Sequence, residues 1–212
     1  MKRILTLTAV CAVLTPGFAA AQACIGVPTM GGQFAVTGQV GFPENARSYS
    51  GEFTADVVGP LSLGAHIGVT KIDNVDGDVT TFGGQAAYEV SGTSISACPV
   101  VGAEHSSRGE KLLGLTVDTN VLVIPVGLGI GTLLAAGAST DVVLFAVPQF
   151  LHIRTTVDGT GQDTVSDNEF GAEAGARFVF GSIFAGAGVF MTSIEDDDPT
   201  FNVSLGLTFG GR

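Results

Sequence analysis

The 212-residue chain contains no tryptophan, two tyrosines and only 14% charged residues, against roughly 25% in an ordinary soluble domain. With so little charge and a mean hydropathy of +0.45, it is not a disordered chain, which would be charged and poor in aliphatics. Bases are scarcest: nine against 20 acids, for a net charge of -11. That balance excludes nucleic acid as a partner, because phosphate needs a basic face. There are three cysteines, none at zinc spacing, and no phosphate loop or haem motif, so no cofactor and no metal centre is expected. Glycine, by contrast, is abundant. Its 31 residues are about 15% of the chain, where about 7% is usual. Each glycine costs about 1 kcal/mol relative to alanine inside a helix, which argues against a helical bundle.

The N-terminus reads as a targeting segment. A basic start, Met1-Lys2-Arg3, leads into an apolar run from Ile4 to Leu14, and Ala19 to Ala23 offers small-x-small cleavage after Ala21 or Ala23. This is the pattern of a cleavable secretory signal over 1–23, too short for a membrane span. Its removal leaves seven of the nine bases against all 20 acids. Residues 24–30 then form a short leader. Lipidation of Cys24 fits poorly, because Ala21 stands where a large aliphatic belongs. Two cysteines, Cys24 and Cys98, survive export, and either a disulfide or two free thiols is open to them.

The remainder alternates with period two. Seven stretches do so, among them Phe34 to Phe42, Tyr49 to Val57, Leu61 to Val69, Phe82 to Val90, Ile95 to Ala103, Phe170 to Phe180 and Phe201 to Phe209. Such alternation sends one set to each face of a strand. Asn120 to Thr140 is uncharged and could pass for a membrane helix. Pro125 would break that helix and Gly127, Gly129 and Gly131 would weaken it, so a strand is expected, as for Ile183 to Ser193. Val142 to Thr155 is apolar on both parities. Its faces cannot be assigned, and a bulge at Pro148 would explain the switch.

Tight turns (Gly59-Pro60, Ser91-Gly92, Gly137-Ala138-Ser139, Gly181-Ser182) interleave with longer loops (43–46, 73–78, 105–118, 158–169, 195–200). The interleaving predicts ten strands, or eight if the first hairpin stands apart. The fold class is all-β, an antiparallel transmembrane up-and-down barrel over 31–212. Three features favour a membrane barrel over a soluble sandwich. The outward set is almost free of charge, which a soluble monomer would not tolerate over so large a band. The inward set is polar or small. The repeats are long enough to cross a bilayer at a tilt of about 45°, and closure satisfies every backbone group in lipid. Phe34, Phe42, Phe53, Phe82, Tyr88, Phe201 and Phe209 fall near strand ends, where aromatic girdles belong.

On these residues the chain resembles the small outer-membrane β-barrel superfamily of Gram-negative bacteria, the group around the OmpA transmembrane domain, OmpX and the opacity-type porin-like proteins. The last strand resembles such barrels' assembly signal at Phe201, Val203, Leu205, Leu207 and Phe209, although Gly210-Gly211-Arg212 follows the terminal aromatic. The resemblance implies location in the outer membrane and a monomer. The implied partners are membrane lipid and lipopolysaccharide, with the barrel-assembly machinery during biogenesis.

The expected lumen carries Glu52, Asp56, His66, Glu89, Glu104, Glu173 and Arg177. In a narrow barrel these groups read as a structural polar network with Arg177 near the acids, or as the lining of a narrow cation-favouring pore. A Cys24–Cys98 bond would pin the leader across the periplasmic opening. Asp73, Asp76 and Asp78, like 195–198, could offer oxygens to Ca²⁺, but the spacing departs from the EF-hand loop and solvated loop tips are expected. His66, His105 and His152 are the only histidines. His152-Ile153-Arg154 does not match a lipid A deacylase residue by residue, and catalysis is not expected, a lipid-modifying barrel enzyme being the third alternative. The role expected is structural or surface-interacting.

Overall fold

A computed structural model describes residues 23–27, 34–58, 60–73, 77–112, 115–136, 140–158, 162–194 and 198–210, apart from 92–94. Residues 1–22 of the expected signal over 1–23, Asp76, and the turn at 137–139 lie outside the described residues. The chain forms one closed antiparallel sheet. Its strands are β1 (Phe34–Phe42), β2 (Ala46–Val58), β3 (Leu61–Ile72), β4 (Val79–Tyr88, continued by Val90–Ser91), β5 (Ser96–Leu112), β6 (Leu115–Ala135), β7 (Asp141–Asp158), β8 (Gln162–Phe180), β9 (Ile183–Thr192) and β10 (Thr200–Phe209). The two pieces of β4 are one strand. Ala87 faces Val100 and Val90 faces Ala97 in the same register, and the gap lies opposite Pro99, which has no N–H to give.

Each strand pairs with its sequence neighbours, and β1 pairs with β10 from Phe34↔Phe209 to Phe42↔Phe201. The ten strands therefore close on themselves with no crossover. Both ends of the described barrel, Phe34 and Phe209, lie at one mouth, called here the terminal mouth; the other is the loop mouth. Alternation is unbroken on β10. Phe201, Val203, Leu205, Leu207 and Phe209 are exposed, whereas Asn202, Ser204 and Thr208 are buried. The same split runs through β1, β2 and β8. Polar side chains fill the interior and apolar ones the outer surface, the reverse of a water-soluble protein. Phe34 stacks on Phe53 and on Phe209, each at 5.8 Å between centroids, at the terminal end of the outer surface.

Three expectations are corrected. Residues 105–118 are not a loop: β5 and β6 stay paired up to Leu112↔Leu115. Residues 158–169 likewise form a hairpin, paired up to Asp158↔Gln162. Neither hairpin carries a regular apolar–polar alternation, the signal that marks a strand between two different surroundings. Third, there is no bulge at Pro148. The β7–β8 register runs through Pro148↔Ala172 without a shift. A register shift does occur at Asp56/Val58, where β2 turns into β3. The barrel is lopsided as a result. Strands β5 to β8 have 17, 21, 18 and 19 residues, whereas β1, β9 and β10 have 9, 10 and 10. At about 3.3 Å per residue, one wall stands well above the other at the loop mouth.

Leu205 lies mid-strand on β10 at 63% exposure. Leu205→Arg is expected to cost about 2–4 kcal/mol in vesicle-embedded barrel, the penalty for a cation at mid-bilayer. Folding titrations in lipid vesicles measure it. An unchanged stability, as for a water-exposed leucine, would contradict a lipid-facing surface.

Candidate functional site: a lumen closed at one end

The interior is not filled uniformly. At the terminal mouth the leader enters the barrel. Ala23–Ile25 forms one turn of 3₁₀-helix, closed by the Gly26 N–H donating to the Ala23 carbonyl at 3.1 Å. Gly26 takes a left-handed φ of 71°, which suits glycine. Ala23 is 2% exposed, Cys24 0% and Val27 1%. These residues lie inside the sheet cylinder, not across its rim. They pack against β6 at Gly129 and Gly131, where any β-carbon would run into the leader backbone. Glycine at those two positions gives the leader its room.

Cys24 and Cys98 are joined by a disulfide with Cα atoms 5.8 Å apart, at a sequence separation of 74. Around the bridge lies the apolar cluster of the protein, with Val100 on β5, Val143, Phe145 and Val147 on β7, Val179 on β8 and Phe184 on β9. Burying each of the larger side chains contributes about 1.5–3 kcal/mol. This cluster explains Val142 to Thr155. Leu144 and Phe150 face outward, while Val143, Phe145 and Val147 cluster with the leader and Leu151 lines the cavity above it. A strand between lipid and a plug is apolar on both sides.

Above the plug, towards the loop mouth, is a cavity of about 560 Å³. Its base includes Ile25 of the leader, and Glu52 (β2), His66 (β3), Glu104 (β5), Glu173 and Arg177 (β8) line it together with Gln39, Gln85, Gln149 and Asn202. Five of the seven expected lumen residues thus share one space. Asp56 and Glu89 do not. Glu89 is buried and accepts a hydrogen bond from Ser96 Oγ at 2.6 Å. His66 Nε2 lies 2.9 Å from Glu104 Oε2. Gln85 Nε2 donates to Glu52 Oε1 at 3.0 Å, and Thr54 Oγ1 donates to the same oxygen at 3.4 Å.

Arg177 lines the same cavity as Glu52, Glu104 and Glu173. Arg177, only 7% exposed, has its guanidinium carbon 5.5 Å from the ring centroids of both Phe145 and Phe184. A desolvated cation over an aromatic face is worth about 2 kcal/mol, so the two rings help to hold the guanidinium. Sequence reasoning did not find these rings. The available signal was glycine on the inward parity: Gly206 and Gly175 lie where a β-carbon would meet Phe184 and Phe145.

The remaining candidates lie apart. His105 stacks on outward-facing Phe82 at 5.0 Å, and His152 Nδ1 is 2.9 Å from Asn168 Oδ1. Asp73 and Asp78 are exposed, and no cluster of metal-ligating side chains occurs among the described residues.

No family model and no curated relative matches the chain. Solved structures do. The translocator domain of autotransporter NalP from Neisseria meningitidis aligns over 98% of this chain and 95% of its own, with a TM-score of 0.51 and 12% identity. The chain has the fold of an outer-membrane β-barrel. Ail, the attachment invasion locus protein of Yersinia pestis, aligns over 85% of this chain and 99% of its own at 14% identity and a TM-score of 0.43. LpxR from Salmonella typhimurium aligns over 82% and 100% at 9% identity and 0.45. At these identities the likeness is one of fold.

Because Cys24 and Cys98 are joined to each other, neither is expected to react with maleimide in the folded, unreduced barrel. Gly131→Val is expected to keep the leader out, prevent the bridge from forming and leave both thiols open to labelling, as read by mass spectrometry. Labelling of both cysteines in the native wild-type protein would show the bridge to be absent.

Proposed function

We propose that this chain is exported to the outer membrane behind a cleavable signal and serves there as a closed barrel with a structural or surface-interacting role. In this reading the terminal mouth faces the periplasm and the tall β5–β8 wall faces outward. The buried leader carries the proposal. A segment held by a shielded disulfide obstructs the passage that a pore needs, and leaves a polar cup open only to the outside. Catalysis has no part in this reading. His66 is engaged by a carboxylate and His152 by an amide, and no serine or cysteine is hydrogen-bonded to either among the described residues.

A second reading, a narrow cation-favouring pore, draws support from the cup itself. Glu52, Glu104 and Glu173 outnumber Arg177 on its walls, and rings of carboxylates favour cations. The two readings separate in planar bilayers. The wild-type barrel is expected to be electrically silent. Removal of 24–30 combined with Cys98→Ser is expected to give discrete, cation-preferring conductance steps. Steps of the same size from the unreduced wild type would overturn the closed-barrel reading and establish the pore.

A further inference from the structure

The cup above the plug has two unlike walls. Strands β1 to β5 line it with polar side chains, among them Gln39, Glu52, His66, Gln85 and Glu104, whereas β6, β7 and β9 line it with Val123, Leu151, Ile153 and Phe190. Leu151 and Phe190 meet over Gly171, 3.1 and 3.3 Å from where its β-carbon would stand. Apolar surface facing a wet lumen is unfavourable until something apolar covers it. The floor of the cup is Arg177, lying beside the Phe145 and Phe184 rings. It is 7% exposed, and its Nη1 is buried with no hydrogen-bond partner. From this floor the lining rises to Gly41, Thr70 and Thr200 at the loop mouth, so a solute reaches Arg177 from that side.

A buried donor without an acceptor costs the full desolvation of that group, and more when the group is charged. The acceptor that a guanidinium holds most strongly is a carboxylate. A plain anion does not fit, because Glu52, Glu104 and Glu173 face the same space. A plain cation does not fit either, since it leaves Nη1 without an acceptor. A ligand with one charge of each sign answers both demands. Glu104 is engaged by His66 and Glu52 by Gln85, which leaves the Glu173 carboxylate for the ligand's cation. Glu173 lies on the same face of β8 as Arg177, four residues nearer the loop mouth, so the anionic end goes in first. The volume of about 560 Å³ is that of a small-molecule site, within the range of about 300–1,000 Å³. We infer that the cup binds a short zwitterionic peptide with apolar side chains. Its terminal carboxylate rests on Arg177, its ammonium lies at Glu173, and its side chains cover Leu151, Ile153 and Phe190. The inference rests on the closed-barrel reading above and gives its surface-interacting role a ligand class.

Isothermal titration of leucylleucine into the full barrel, purified in mild detergent with its disulfide intact, tests the site. Wild type is expected to bind the dipeptide at least about tenfold more tightly than Arg177→Met, the effect of losing a hydrogen bond to a charged group. The unbranched methionine fills the space beside the two rings. Leucylleucine amide, which lacks the carboxylate, should bind wild type as weakly as the free dipeptide binds Arg177→Met, and that variant should not distinguish the two. N-acetyl-leucylleucine, which lacks the ammonium, should lose affinity for wild type but not for Glu173→Gln. A merely structural role for either residue would not produce this matching of variant to ligand group. Heat-dependent gel migration confirms that each variant is a folded barrel. Equal affinity of wild type for the free and amidated dipeptides overturns the site, as does equal affinity of wild type and folded Arg177→Met. Absence of binding to wild type at low millimolar dipeptide overturns it too. Conductance steps from the unreduced wild type would overturn the closed-barrel reading itself, an outcome distinct from the failure of an electrically silent barrel to bind the dipeptide.

Discussion

Everything in this molecule depends on the seam between its first and last strands. In hydrocarbon an unpaired backbone N–H or C=O costs several kcal/mol, so a sheet with two open edges has no place there. The nine paired positions from Phe34↔Phe209 to Phe42↔Phe201 remove both edges at once. Given that closure, the outer face is free to be wholly apolar and the interior free to be polar. The alternation on β10, with its aliphatic residues out and Asn202, Ser204 and Thr208 in, follows directly from it.

Inside, ten strands enclose more space than their own side chains fill, and the protein uses two means to occupy it. At the terminal mouth it borrows a piece of its own chain and builds around it the dry core that a barrel wall alone does not provide. Farther in, it uses hydrogen-bonded polar side chains and leaves a cup. Arg177 sits where the two regimes meet. Its aliphatic stem and charged head lie beside Phe145 and Phe184, while the carboxylates of the cup remain above it.

Much of this was legible in the sequence, for a definite reason. Wherever a strand separates lipid from a polar lumen, its two faces have opposite chemistry, and period-two alternation reports it. The strand count, the closure and the inward set on β1, β2, β8 and β10 were readable on that ground. Legibility failed where the two faces met similar surroundings. Residues 105–112 and 162–169 carry no regular apolar set on one face, and so read as loops. Beside the plug, apolar matter lies on both sides of Val142 to Thr155, and the faces could not be told apart. The Phe145–Arg177–Phe184 stack was hidden because each member is ordinary on its own strand and only the curvature of the sheet brings them together.

The bond between Cys24 and Cys98 has a further consequence as connectivity. It turns the leader, β1 to β4 and the start of β5 into a covalent ring, which leaves two of the shortest strands, β9 and β10, outside it. The remaining strands, including the whole tall wall beyond the start of β5, are a tail attached to that ring. The leader therefore cannot slide out of the barrel as a free end would: pulling on it pulls on the wall opposite. The plug belongs to the circumference as much as to the lumen, and the terminal mouth has a stopper that is also one of its staves.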